Sequence, residues 1–113
     1  MDKPLHQKKC VPCEGGVPLT SSVVQQYKGE LKLPWEVLEG KKIRHKFRFA
    51  NFVQAMAFVN QVAAIAEEEN HHPDLHIFYN RVVIELWTHA VGGLSENDFI
   101  LAAKIEKLLP DKA

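Results

Sequence analysis

The sequence has little cysteine and no long apolar run. Its 113 residues include two cysteines, too few for the disulfide framework of a small secreted domain. No apolar stretch approaches the roughly 18 residues that a membrane-spanning helix needs. The N-terminal residues MDKPLHQKKC lack the apolar core of a secretory signal. We therefore expect a cytoplasmic protein that makes no membrane contact.

An excess of charge of either sign is also missing. Lys and Arg number 14, Asp and Glu number 14, and the formal net charge is zero. Neutralisation of phosphates drives general nucleic-acid binding, so this balance argues against a nucleic-acid partner. Hydrophobic residues make up 46% and charged residues 25%, which is typical of a globular chain. A chain of this length forms one domain, and we expect it to gain stability by oligomerisation.

The first part of the chain is rich in Lys, Pro and Gly. This composition predicts a flexible arm at residues 1–19, followed by one domain at residues 20–113.

The arm carries both cysteines, as the CxxC pair Cys10 and Cys13. With His6 and the weak ligand Glu14 they fall short of the four strong ligands of a closed zinc site. We favour a mobile thiol pair in a reducing compartment. Zinc binding and redox chemistry are the alternatives.

Apolar periodicity predicts both helices and strands in the remaining residues. Spacing of three and four predicts helices at residues 20–31, 51–69 and 95–109. Alternation predicts strands at residues 35–38, 43–49, 77–79 and 82–88. Strands that follow one another so closely pair in antiparallel fashion, and the helices would cover one face. The fold class predicted from the residues is therefore α+β.

The second predicted helix combines an apolar stripe with an acidic end. The stripe, predicted to face the core or another helix, contains Phe52, Met56, Val59, Ala63 and Ala66, widened by Val53, Val62 and Ile65. Three glutamates, at 67–69, end the helix, where negative charge opposes the helix dipole. Such a conflict marks either a functional site or a solvated helix end.

Four of the six histidines fall between positions 71 and 89. Histidine titrates near neutral pH and is the usual general acid or base. Pro73 disfavours helical geometry at His72, so His71 and His72 point off the helix in different directions. His89 ends a predicted strand. The three imidazoles could converge on one pocket, although a single histidine is more often structural than catalytic.

Metal binding is the competing interpretation of this cluster. The possible ligands are His71, His72, His76, His89 and Asp74. Adjacent histidines seldom share one ion, and the sequence has no HExxH helix. We therefore expect no metal.

These residues also resemble a known family. Glu67, then His71-His72-Pro73 after three intervening residues, then Tyr79, His89 and Asp98 follow the pattern of pterin-4a-carbinolamine dehydratases. The similarity extends over residues 20–109.

The resemblance implies a four-stranded antiparallel sheet with three helices on one face, in a homodimer or homotetramer. It implies dehydration of 4a-hydroxytetrahydrobiopterin to quinonoid dihydropterin without metal or organic cofactor, in the recycling of tetrahydropterin. By position, the catalytic residues are His71, His72 and His89, and the substrate-binding residues are Glu67, Pro73 and Asp98.

Several of these roles have simpler alternatives. Asp98 either orients a histidine or is only the third residue of a capping box that begins at Ser95. Glu67 could be a plain helix-end carboxylate, and Tyr79 is interpreted as a packing residue.

One position departs from the pattern of many active members of the family. Leu75 stands where those members carry an aromatic residue. The absence of an aromatic ring at this position would weaken pterin stacking. The segments CVPC, HHPDLH and WTHAVGGL are similar to dehydratase-like proteins, some of which act in Rubisco assembly. A catalytically weak assembly factor or protein-binding module is therefore the alternative function.

Overall fold

The computed structural model describes residues 4–11 and 16–109. The helices are α1 (Ser21–Lys28), α2 (Phe52–Glu69) and α3 (Glu96–Glu106). The strands are β1 (Glu36–Leu38), β2 (Lys42–Arg48), β3 (Asp74–Phe78) and β4 (Arg81–Leu86). Two single 3₁₀ turns lie at Leu5–Gln7 and His89–Val91. Within the described ranges, no helix has the length and apolarity needed to cross a bilayer.

The four strands form one sheet in the order β1-β2-β4-β3, and all neighbouring strands are antiparallel. This confirms the predicted α+β class and the four-stranded antiparallel sheet. In β2, Ile43 and Phe47 are buried, while Lys46 and Arg48 are exposed, as the alternation predicts. Ile43 lies opposite Leu86 of β4 in the register, so the apolar residues of the central strands form one face of the core.

Strand β3 begins earlier than the sequence predicts. The prediction started at Ile77, but the strand starts at Asp74 and ends at Phe78. Because β3 is an edge strand and mostly exposed, its apolar alternation is weak. The turn to β4 is formed by Tyr79 and Asn80, not by Asn80 and Arg81. Tyr79 has a φ of 52° and is exposed, so it is not the packing residue that the sequence predicted.

The buried face of α2 differs from the predicted stripe. The buried residues are Ala55, Phe58, Val59, Val62, Ala66 and Glu69. Phe52, Val53 and Ala63 are exposed, so the prediction is wrong at these three positions. This helix is apolar on almost every side, and periodicity alone does not determine which side faces the sheet. The face is set by Phe58, whose ring lies 4.9 Å from the rings of Phe47 and of Phe49.

Part of the segment predicted as a flexible arm packs on α3. Leu5 is only 3% exposed and belongs to the core. Val11 and Asn97 exchange two hydrogen bonds, of 3.0 Å from the Val11 N–H and 2.6 Å to the Val11 carbonyl. We call residues 8–11 the N-terminal strap. Cys13 and Glu14 lie outside the described residues, and the domain boundary at residue 20 stays a prediction.

We expect Leu5→Ala to destabilise the protein by about 2–5 kcal/mol, because it leaves a cavity in the core. Val17→Ala is the matched control, since Val17 is 85% exposed in the same N-terminal part of the chain. Its effect should stay within about 0.5 kcal/mol. Urea unfolding measures both variants. Equal stability of Leu5→Ala and wild type would contradict the packing of this segment.

Candidate active site

Helix α2 ends in a turn that presents two adjacent histidines. Asn70 adopts the left-handed conformation, with a φ of 53°, which asparagine tolerates better than most residues. The His71 N–H still donates to the Ala66 carbonyl, at 3.2 Å. Pro73 then directs the chain into β3. The two imidazoles therefore lie on a short, well-defined turn between a helix and a strand.

His71 contacts a fully buried carboxylate. Its Nε2 lies 2.6 Å from Oδ1 of Asp98, and the two side chains are 11% and 0% exposed. The other oxygen of Asp98, Oδ2, accepts hydrogen bonds from the Thr88 hydroxyl at 2.8 Å and from the Ser95 N–H at 3.0 Å. A carboxylate only accepts hydrogen bonds, so Nε2 of His71 is the donor in this contact and Nδ1 is the nitrogen that faces away from Asp98.

The two interpretations of Asp98 are compatible. Asp98 is the third residue of the α3 capping box, because it accepts from the Ser95 N–H and the Ser95 side chain accepts from its backbone. This uses only one of its oxygens. The second oxygen is available to His71, so one carboxylate both begins α3 and orients an imidazole.

His72 makes a separate contact with the acidic end of α2. Its Nε2 lies 2.6 Å from Oε2 of Glu67, and both side chains are exposed. An exposed pair of this kind adds little stability. It does fix which nitrogen of His72 faces the protein, and it leaves Nδ1 free.

His89 is joined to the same carboxylate through its neighbour in the chain. It begins the turn His89–Val91, is exposed, and its ring centroid lies 3.8 Å from that of Trp87. Thr88, the preceding residue, donates to Asp98 and also pairs with Gly93 across the loop. A side chain at Gly93 would lie 2.9 Å from Cβ of Pro18, so only glycine fits there.

The other predicted metal ligands lie apart from this group. His76 faces Glu85 on the sheet, with 3.8 Å between Nε2 and Oε1, and Asp74 is the register partner of Glu85. In residues 4–11 and 16–109, no three His, Cys, Asp or Glu side chains are placed to hold one metal ion.

Sequence reasoning missed Thr88 as part of this network. It is a polar residue that continues the buried series Val82, Ile84 and Leu86, and it is itself buried. A polar residue at a core position needs a hydrogen-bond partner, and that requirement was the available signal. Among the described residues, every buried polar side-chain atom has such a partner.

A large cavity lies away from His71, His72 and His89. It has a volume of about 860 Å³, and its walls include Leu33, Phe49, Glu106 and Leu109 but none of the predicted site residues. The carboxylate of Glu106 already accepts three N–H donors, from Lys32, Leu33 and the Trp35 indole. The cavity has the size of a ligand site, and among its described lining residues His6 is the one histidine. We place the reactive site at His71, His72 and His89.

Comparison with known proteins identifies the family of the chain. The family model described as "Pterin 4 alpha carbinolamine dehydratase" matches residues 17–108. The chain belongs to this family. This confirms the resemblance seen in the histidine motif.

Curated bacterial relatives are similar over almost the whole chain. A Rickettsia canadensis protein is 52% identical, covering 90% of this chain and 94% of its own length. A Legionella pneumophila protein is 48% identical, covering 98% and 100%. Both are named as pterin-4-alpha-carbinolamine dehydratases, with that activity marked as provisional.

Two solved structures have the same fold. The transcriptional coactivator/pterin dehydratase of Brucella melitensis is 34% identical, with a TM-score of 0.76, covering 80% of this chain and 97% of that one. A pterin dehydratase-like protein, described as a RuBisCO assembly factor in the alpha-carboxysome, is 25% identical with a TM-score of 0.58, covering 66% and 87%.

Cys10, the described cysteine of the CxxC pair, is a half-buried free thiol. Burial raises the pKa of Cys10 from 9.0 to about 12, and the Glu69 carboxylate adds to the shift. Zinc binding and thiol redox chemistry both require the thiolate. At neutral pH Cys10 is protonated, which disfavours both alternatives for this residue.

We expect slow alkylation of Cys10 by iodoacetamide at pH 8 in a Cys13→Ser variant. A pKa of about 12 in place of 9.0 lowers the thiolate fraction on the order of 10³-fold. The same protein in urea is the control, because unfolding removes the burial. Equal rates in the native and the unfolded protein would contradict the buried environment of Cys10.

Proposed function

We propose that the protein dehydrates 4a-hydroxytetrahydrobiopterin to quinonoid dihydropterin by histidine acid–base catalysis. The family membership and the curated relatives support the reaction type. The observation that carries the proposal is the contact of 2.6 Å between His71 and the buried Asp98. In the cell this reaction would return the pterin to the tetrahydropterin cycle, in the cytoplasm.

The reaction needs one acid and one base. The C4a–O bond breaks, and the leaving hydroxide takes a proton from the acid to become water. The ring N–H gives its proton to the base, and its electron pair forms the new C=N bond. No electrons are gained or lost, so the reaction needs no redox cofactor, and the proposal assigns both proton transfers to side chains without a metal or an organic cofactor. Imidazoles serve both roles near neutral pH.

His71 is suited to the part of the base. Its Nε2–H donates to Asp98, which leaves the lone pair on Nδ1 to accept a proton. The charge that then forms on the ring is stabilised by the buried carboxylate, as in other carboxylate–histidine pairs. Asp98 is 0% exposed and therefore acts through His71, not on the pterin itself.

His72 and His89 are the two candidates for the acid at the leaving hydroxyl. Both are exposed, so substrate can reach both. Nε2 of His72 lies 2.6 Å from Oε2 of Glu67, and the Trp87 ring lies against the His89 ring at 3.8 Å between centroids, with an interplanar angle of 42°. We propose that Glu67 and Pro73, which flank His72, contact the pterin at this side of the site.

The proposal includes a homodimer or homotetramer. Its support is exposed apolar surface at Ile77 and Phe78 on the edge strand β3, and at Phe52 and Val53 on α2. Exposed edge strands and apolar patches of this kind favour association with another chain.

We expect the double variant His72→Ala with His89→Ala to lose on the order of 10²–10⁴-fold in kcat, because the acid is removed. Asp98→Asn should lower kcat as well, since it favours the wrong tautomer of His71. The assay follows turnover of 4a-hydroxytetrahydropterin formed by a coupled hydroxylase. His76→Ala is the matched control, because His76 faces Glu85 on the sheet, and it should keep wild-type kcat.

A binding role without turnover is the second candidate. It is favoured by the similarity to the structure described as a RuBisCO assembly factor, and by Leu75 at the aromatic position. Leu75 of β3 packs against the core and lies opposite Ile84 of β4 in the register. Wild-type turnover no faster than the uncatalysed reaction would contradict the dehydratase and leave this role.

A further inference from the structure

One buried charge near the site has no part in the proposed reaction. Glu69, in the last turn of α2, has a side chain that is only 2% exposed. Buried carboxylates are rare unless they are paired. Its neighbour Glu67 faces outward to His72, so only Glu69 of this pair points into the protein.

Glu69 connects three parts of the chain. Its Oε1 accepts a hydrogen bond of 2.8 Å from the Cys10 N–H of the N-terminal strap. Its Oε2 lies 3.4 Å from Nζ of Lys104 on α3 and 3.6 Å from Nζ of Lys9 on the strap. The last turn of α2, the last turn of α3 and the strap therefore meet at one carboxylate.

These connections flank the contact between His71 and Asp98. Glu69 lies two residues before His71 in the chain. The strap also binds the start of α3, where Lys8 contacts Glu96 at 2.6 Å and Val11 pairs with Asn97, the residue before Asp98. The strap thus holds both segments that must stay in register for His71 to meet Asp98.

The charge on Glu69 is maintained despite its burial. Burial raises the pKa of this carboxyl, but the Cys10 N–H and the ammonium groups of Lys104 and Lys9 outweigh it, so the pKa lies below its usual range. At neutral pH Glu69 is ionised. Removal of its carboxylate would leave Lys104, which is itself 19% exposed, without its counter-charge.

We propose that Glu69 is a positioning residue of the active site, which through the N-terminal strap and α3 fixes the register in which His71 meets Asp98. The inference rests on the proposed function for its kinetic consequence. Its structural part concerns the His71–Asp98 contact alone.

A purely stabilising Glu69 predicts a different result from a positioning one. A stabilising residue lowers the folded fraction and leaves kcat of the folded enzyme unchanged. A positioning residue lowers kcat of the folded enzyme, and its effect depends on the contact that it positions. Displacement of a reacting group by about 1 Å costs up to about 100-fold.

The first test is a double-mutant cycle on kcat, corrected for the folded fraction. We expect Glu69→Ala to lower kcat by on the order of 10-fold or more, with a much smaller change in KM. Glu69→Gln should lose less, because its amide oxygen still accepts from the Cys10 N–H. In the Asp98→Asn background, Glu69→Ala should cost little further, since the contact that it positions is already lost.

Two controls separate positioning from general effects. Cys10→Ser keeps the backbone N–H that binds Glu69 and a side chain that can donate to the Asn97 carbonyl, so it should keep wild-type kcat. Glu106→Gln perturbs a carboxylate in the last turn of α3 whose partners lie outside the strap and α2: it accepts from the Leu33 N–H and the Trp35 indole, both at 2.9 Å. It should lower stability and leave kcat of the folded enzyme unchanged. The proposal would be overturned if Glu69→Ala lowered kcat by the same factor in the wild-type and the Asp98→Asn backgrounds, or if it did not lower kcat at all.

A second readout does not require activity. The Nε2 proton of His71, hydrogen-bonded to Asp98, should give a downfield imidazole NMR signal in wild type and in Glu106→Gln, and should lose it in Glu69→Ala. If wild type shows the signal but no turnover, the proposed function fails and this comparison still decides the positioning role. A signal that persists unchanged in Glu69→Ala overturns it.

Discussion

The buried carboxylate of Asp98 is the interaction on which the site depends. Its two oxygens bring together the start of α3, the end of β4 through Thr88, and the turn after α2 through His71. A buried carboxylate is costly unless its acceptors are used, and here three donors use them. The elements that carry the three candidate histidines are therefore held by the same group that begins a helix.

The region around Asp98 is supported by a second buried carboxylate, Glu69. Asp98 binds the His71 imidazole directly. Glu69 acts on the backbone that carries these two residues, the end of α2 and helix α3, through the strap and Lys104. The strap belongs to the N-terminal segment, whose composition predicts flexibility. Its order in residues 8–11 comes from specific partners on α2 and α3, which composition cannot reveal.

The sequence predicts the family of this protein better than its packing. The spacing of Glu67, His71, His72, His89 and Asp98 is enough to identify the family, because each residue type has a chemical reason to be there. The buried face of α2 could not be predicted, since the helix has apolar residues on almost every side. The contact of Phe58 with the ring of Phe47 in β2 determines which side faces the sheet. Edge strand β3 lacked a clear pattern because most of it is exposed.

We propose that the pterin binds at His71, His72 and His89 and not in the cavity at the other end of α3. The most direct test is a crystal structure of the wild-type protein with a 7,8-dihydropterin, a stable analogue of the product. We expect the pterin ring to lie against His71, His72 and His89, with Nδ1 of His71 facing the ligand and Nε2 of His71 hydrogen-bonded to Asp98. A pterin bound between Leu33, Phe49 and Leu109, with the histidines unoccupied, would contradict it.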